Sequence, residues 1–138
     1  LLNEVKDVYG DALDDADRKE LLKLEARLAL NEGEGGEAVE VLEQIVDMDP
    51  LDGEALMLLG QHYAGDGDVE RAAFYYERAQ NVEGVEAEAR LRHAQLLVDQ
   101  GEYEKAIPLL KRVQELEPRD DVAQYLEQVQ RVARSQQS

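Results

Sequence analysis

The chain has 138 residues, 43% hydrophobic and 34% charged, with a formal net charge of −17, ten glycines, three prolines and no cysteine. This length and composition suit one folded domain or a short repeat array, without disulfides or thiolate metal sites. The acidic balance argues against a nucleic-acid partner, which needs clustered Lys and Arg, and no apolar run is long enough for direct membrane insertion.

The chain begins Leu1-Leu2-Asn3, with neither an initiator Met nor a signal pattern. It therefore reads as an excised or processed piece, compatible with a cytoplasmic or a periplasmic setting. Val5, Tyr9, Ala12 and Leu13 predict an N-terminal helix, and "DALDDADR" (Asp11–Arg18) a connection. Three units follow, each ending in a similar way: "VLEQIVDMDP" (Val41–Pro50), "YYERAQNVEG" (Tyr75–Gly84) and "LLKRVQELEP" (Leu109–Pro118). Their ends lie 34 residues apart, as do Gly33, Gly67 and Gly101, and Ala38, Ala72 and Ala106. Each unit reads as two amphipathic helices around a Gly-containing turn. In the middle unit Ala72, Tyr76 and Ala79 fall on one helical face. Val122, Leu126, Val129 and Ala133 predict a final helix with one apolar stripe. Pro108 falls near the start of a predicted helix, where the backbone can adapt.

A 34-residue period with Leu56, Leu59-Gly60, Tyr63, Ala72, Tyr76 and Ala79 resembles the tetratricopeptide repeat family. The third unit keeps Ala94, Gly101, Ala106, Leu110 and Pro118 but has Arg90 where the family has Trp. The first keeps Leu22, Ala26, Gly33, Ala38, Leu42 and Pro50. The resemblance implies an all-α fold, a right-handed α-solenoid of stacked helix-turn-helix (TPR) units with a C-terminal capping helix. Its segments are an N-terminal helix and connection (1–18), units 19–52, 53–86 and 87–120, and a capping helix and tail (121–138).

Several chemical readings lose to this one. "GDGD" (Gly65–Asp68) lacks the glycine that a calcium loop started at Asp66 needs, because Arg71 occupies that position. No Walker-type lysine follows it for a phosphate. As a turn, Gly67 permits the chain reversal and Asp68 caps the next helix. His62 and His93 are expected to pack or face solvent, with no metal and no cofactor. The chain has no Thr, and its only serines are Ser135 and Ser138, so no catalytic nucleophile of the triad kind is available. No enzyme is expected.

The resemblance further implies that the first helices of the units line a concave groove. Its rows are Lys23, Met57, Leu91 and Tyr125; Arg27, Gln61, Gln95 and Val129; and Leu30, Ala64 and Val98. Glu20, Glu54 and Glu88 stand at the helix starts. An apolar strip (Met57, Leu91, Tyr125) beside a basic patch (Lys23, Arg27) suits adaptable contact with a peptide or partner protein of apolar or basic character. Lys23, Arg27, Met57, Gln61, Leu91, Arg92, Gln95 and Tyr125 are the expected binding residues. The family subset that grips chaperone C-terminal tails uses five polar groups. Lys23 and Arg92 fit that pattern, whereas Arg27, Leu58 and Glu88 depart from it, so this ligand is not expected. The function read from the sequence is a non-enzymatic interaction module within a larger protein or assembly. The alternatives are a self-assembly scaffold, with Phe74 as a homo-oligomer contact rather than partly packed against a neighbouring unit, or a regulatory spacer on a catalytic domain.

Overall fold

Asp14 accepts a hydrogen bond from the Asp17 N–H at 2.8 Å and starts the first helix among the described residues, as a short acceptor at an N-cap should. The structure is a computed structural model and describes residues 14–137. Its helices are α1 (Asp15–Asn31), α2 (Gly35–Met48), α3 (Gly53–Gly65), α4 (Val69–Ala79), α5 (Glu86–Asp99), α6 (Tyr103–Leu116) and α7 (Asp120–Gln137), with no strand among the described residues. The expected helix at Val5, Tyr9, Ala12 and Leu13 lies outside the described residues. Asp15–Arg18, read from sequence as connection, is already helical. The Asp14 cap, with Asp15 and Asp17 against the helix dipole, accounts for this earlier start.

Consecutive helices pack on one another, more closely within α1/α2, α3/α4 and α5/α6 than between these pairs. The result is a right-handed solenoid closed by α7. Each hairpin turns on a glycine with positive φ: Gly33 at 78°, Gly67 at 80° and Gly101 at 77°. The same backbone bond closes all three turns, from Glu34 N to Ala29 O at 2.8 Å, Asp68 N to Tyr63 O at 2.9 Å, and Glu102 N to Leu97 O at 2.8 Å. This six-to-one bond marks a Schellman ending. Asp68 caps α4 by accepting from the Arg71 N–H at 3.2 Å. Glu34 and Glu102, at the equivalent places, make no side-chain cap. Pro108 lies within α6, which continues through it.

The positions that recur every 34 residues are the most buried. Ala26, Ala94, Ala38, Ala72 and Ala106 are all 0% exposed, and Gly60 is buried with them. One apolar cluster runs through α1–α4 and reaches Ala89 and Leu96 of α5. A second joins α5, α6 and α7 through Ala94, Leu110, Val113 and Val129. His93 is buried on α5. Desolvation holds its imidazole below the ordinary range against the opposing charge of Glu77, which keeps it neutral.

At the α3/α4 crossing, a Cβ placed on Gly60 would lie 2.5 Å from Tyr76 Cε1, and Tyr76 is itself 3% exposed. A helical Gly→Ala change normally stabilises by about 0.8–1.0 kcal/mol. Here the added methyl must push a buried ring, and overpacking of that kind costs about 1–3 kcal/mol. Gly60→Ala is therefore expected to lower unfolding free energy in urea, and Gly60→Ala with Tyr76→Leu to recover part of the loss. A single variant more stable than the parent would show that the crossing has slack.

Candidate functional site on the inner helix faces

On α5 the residues Glu88, Leu91, Arg92, Gln95 and Asp99 recur at helical spacing and share one stripe. The opposite stripe, Ala87, Ala89, His93, Ala94 and Leu96, is buried. The exposed stripe lines two hollows. The larger, of about 510 Å³, lies between α5, the end of α6 and the turn before α7, and its walls include Glu88, Leu91, Val113 and Glu117. The smaller, of about 280 Å³, lies between α3 and α5 and includes Gln61, Ala64, Tyr76 and Asp99. Arg92 and Gln95 line both, so the two hollows share a wall.

The three places where one helix pair meets the next element differ in chemistry. At the first, Lys23 Nζ lies 2.9 Å from Asp52 Oδ2, and Lys19 Nζ lies 3.0 Å from Asp49 Oδ2 and 3.3 Å from Asp52 Oδ2. Asp52 also caps α3, accepting from the Ala55 N–H at 3.0 Å. Burial pushes its carboxyl up, but the bonds from Lys23, Ala55 and Lys19 outweigh that and hold it below the ordinary carboxylate range. Arg27 Nε donates to Glu54 Oε1 at 3.0 Å, and Nη2 makes a second contact to the same oxygen.

One unit further on, Gly53 and Met57 occupy the places of Lys19 and Lys23. A Cβ on Gly53 would meet Val85 Cγ2 at 2.8 Å, so the valine fills the space. At the third meeting Ala87 and Leu91 hold those places, and the counterpart of Val85 is Arg119. Its guanidinium turns to Asp121, with Nε–Oδ1 at 3.1 Å and Nη2–Oδ2 at 2.6 Å. With an arginine rather than a valine at that place, Ala87 and Arg119 both border the larger hollow.

Four expected residues, Gln61, Leu91, Arg92 and Gln95, come together along the hollows. The other four stand elsewhere. Met57 is 5% exposed and belongs to the core, so no continuous apolar strip runs from Met57 to Tyr125. Val129, in the neighbouring row, is 3% exposed for the same reason, packing in the second cluster. The basic patch is neutralised, because Lys23 is held by Asp52, with its side chain 14% exposed, and Arg27 is paired with Glu54. Tyr125 is half-buried on α7, its phenol raised by burial and by the charge of Asp99. Sequence reasoning missed Asp99, Glu117 and Tyr76. Asp99 could have been found by extending the α5 stripe one turn past Gln95. Tyr76 comes from the second helix of its pair and Glu117 from the residue that ends one, and neither carried a groove signal.

Phe74 is 52% exposed on α4. Its ring meets Tyr75 edge-on at 5.2 Å between centroids, Tyr75 stacks on Tyr63 at 5.8 Å, and Arg78 lies 5.5 Å over Phe74. The ring is thus partly covered by its own helix and neighbours. His62 lies over Gly35 and pairs with Asp66 at 3.2 Å. Among the described residues no group of three or more His, Cys, Asp or Glu could hold a metal, and no helix is long and apolar enough to cross a membrane.

The chain matches Tetratricopeptide repeat profiles over residues 23–89 and 63–129. Compared with curated proteins by sequence, it matches none. Among solved structures it is similar to the N-terminal domain of stress-induced protein-1 (STI-1) from C. elegans, with TM-score 0.76 and 15% identity over 83% of this chain and 95% of that one. It is similar to the first TPR of Spaghetti (RPAP3) bound to the HSP90 peptide SRMEEVD, with TM-score 0.74 and 19% identity over 87% and 98%. The MamA RS-1 ArsTM double mutant gives TM-score 0.72 and 26% identity over 82% of this chain and 64% of that one.

Asp52→Ala removes a buried partner from two lysines together with the α3 cap, and is expected to cost about 2–4 kcal/mol in unfolding free energy. Arg27→Ala, at an exposed pair, should cost less than about 1 kcal/mol. The Asp52 contribution exists above the ordinary carboxyl pKa of 3.8 and disappears as pH falls below it. Denaturant titrations at pH 7 and pH 3 check both statements. Equal losses for the two variants would contradict the burial argument.

Proposed function

The chain belongs to the tetratricopeptide repeat family, and from that premise we propose that it is a non-enzymatic interaction module holding a peptide segment or partner protein along the inner faces of α3 and α5. The observation that carries this reading is the shared wall: Arg92 and Gln95 line both hollows, so the two adjoin and one extended segment can reach from one to the other. Gln61 and Gln95 offer amide donors and acceptors suited to a peptide backbone, and Leu91 gives an apolar contact beside them. Support also comes from the Spaghetti structure, where a similar solenoid is bound to an HSP90 peptide. That peptide ends Glu-Val-Asp. Glu88 and Glu117 in the wall of the larger hollow disfavour such a terminus there, although Arg92 beside them fits it.

A photo-crosslinking amino acid at Gln61 or Gln95 tests the assignment, with the same group at Glu40 and Lys111 on the second helices as controls. In lysate of the source organism, the two inner positions are expected to give the same discrete adducts and the two controls none. Adducts from Glu40 or Lys111 alone would move the binding surface to the other side of the solenoid.

A further inference from the structure

We infer that the larger hollow receives a basic side chain, Lys or Arg, of the bound segment; this rests on the groove reading above. Four charged groups of the inner face make no side-chain hydrogen bond or ion pair within the described residues: Glu88, Asp99, Glu117 and Arg92. Arg119 is already satisfied by its two-bond fork to Asp121, and Lys23 and Arg27 are satisfied at the first junction. In the larger hollow the charge left open to a ligand is therefore two carboxylates, Glu88 and Glu117, against the Arg92 guanidinium, and Asp99 adds a further carboxylate in the smaller hollow, on a chain whose overall charge is −17.

The shape of the hollow agrees with its charge. Ala87, Leu91 and Val113 supply a small apolar part of the lining, and Glu88 of α5 and Glu117, the residue that ends α6, supply the carboxylates. A Lys or Arg side chain has the matching division, an aliphatic stem for the apolar part and a cationic head for the carboxylates. A purely apolar side chain would leave both carboxylates facing it unpaired. An acidic one would meet two like charges in a partly enclosed site. The overall negative field draws a basic segment in and raises its association rate, and salt weakens that effect.

Selection from a phage-displayed library of random heptapeptides, against the immobilised chain, tests this directly. The enriched peptides are expected to share a Lys or Arg at one fixed position. The best of them should bind roughly tenfold or more weakly to Glu88→Gln with Glu117→Gln, and more weakly again as salt rises. Glu117→Lys should shift the selection toward acidic residues at that position. Gln95→Trp, which obstructs the shared wall, separates this inference from the groove reading. Peptides that lose binding to Gln95→Trp but carry no common basic residue, or bind the double Gln variant within twofold of the parent, overturn the basic-side-chain assignment and leave the groove standing. Peptides that bind Gln95→Trp undiminished, or a library that yields no enriched peptide, overturn both.

Discussion

The close crossing of α3 and α4, with Gly60 against the ring of Tyr76, is the contact on which the rest of the solenoid depends. A single helix of this length in water is marginal, and none of these helices can bury its apolar stripe alone. Each pair must close tightly and then stack on the next. Small residues at Ala26, Gly60 and Ala94 on the first helices, and at Ala38, Ala72 and Ala106 on the second, let the backbones approach that closely. The middle pair carries the smallest residue opposite the largest ring, so it is the least tolerant of change. It is also enclosed by neighbours on both sides.

Tight pairing fixes the backbone but leaves freedom at the meetings between pairs, and the chain fills these three meetings differently. Lysines and aspartates close the first, valines against a glycine close the second, and the third remains open. One architecture thus yields a charge-neutralised end and an accessible end bearing unpaired charge. The open end differs from the second meeting in having Arg119 in the place of Val85, and Ala87 and Leu91 in the places of Gly53 and Met57. The arginine is held by Asp121 at the border of the hollow.

The repeat, its turns and its small-residue positions were legible in the sequence because backbone requirements recur identically. A glycine with positive φ is needed at each turn, and a small residue at each crossing. The groove was only half legible. Family position places Met57, Leu91 and Tyr125 in one row, but exposure depends on what stands opposite, and that is not periodic. Met57 is enclosed by the apolar cluster, whereas Leu91 borders a hollow. The pairing of Lys23 with Asp52 joins two units, and nothing in either unit alone announces it. Asp99 was readable from helical spacing. Glu117 became relevant only through the way α6 ends beside α5.

These features give a scaffold whose inner surface is shaped more by unfilled stacking than by a dedicated motif. The recognition this favours is of an extended segment lying across α3 and α5, with its charge set by what the scaffold leaves unpaired. Hydrogen–deuterium exchange on the chain alone, and with a saturating selected heptapeptide, tests this account most directly. It predicts slower exchange on binding at the α6–α7 turn and along α5, with α2 and the outer side of α4 unchanged. Slowing confined to α2 and α4, with α5 and the α6–α7 turn unaffected, would contradict it.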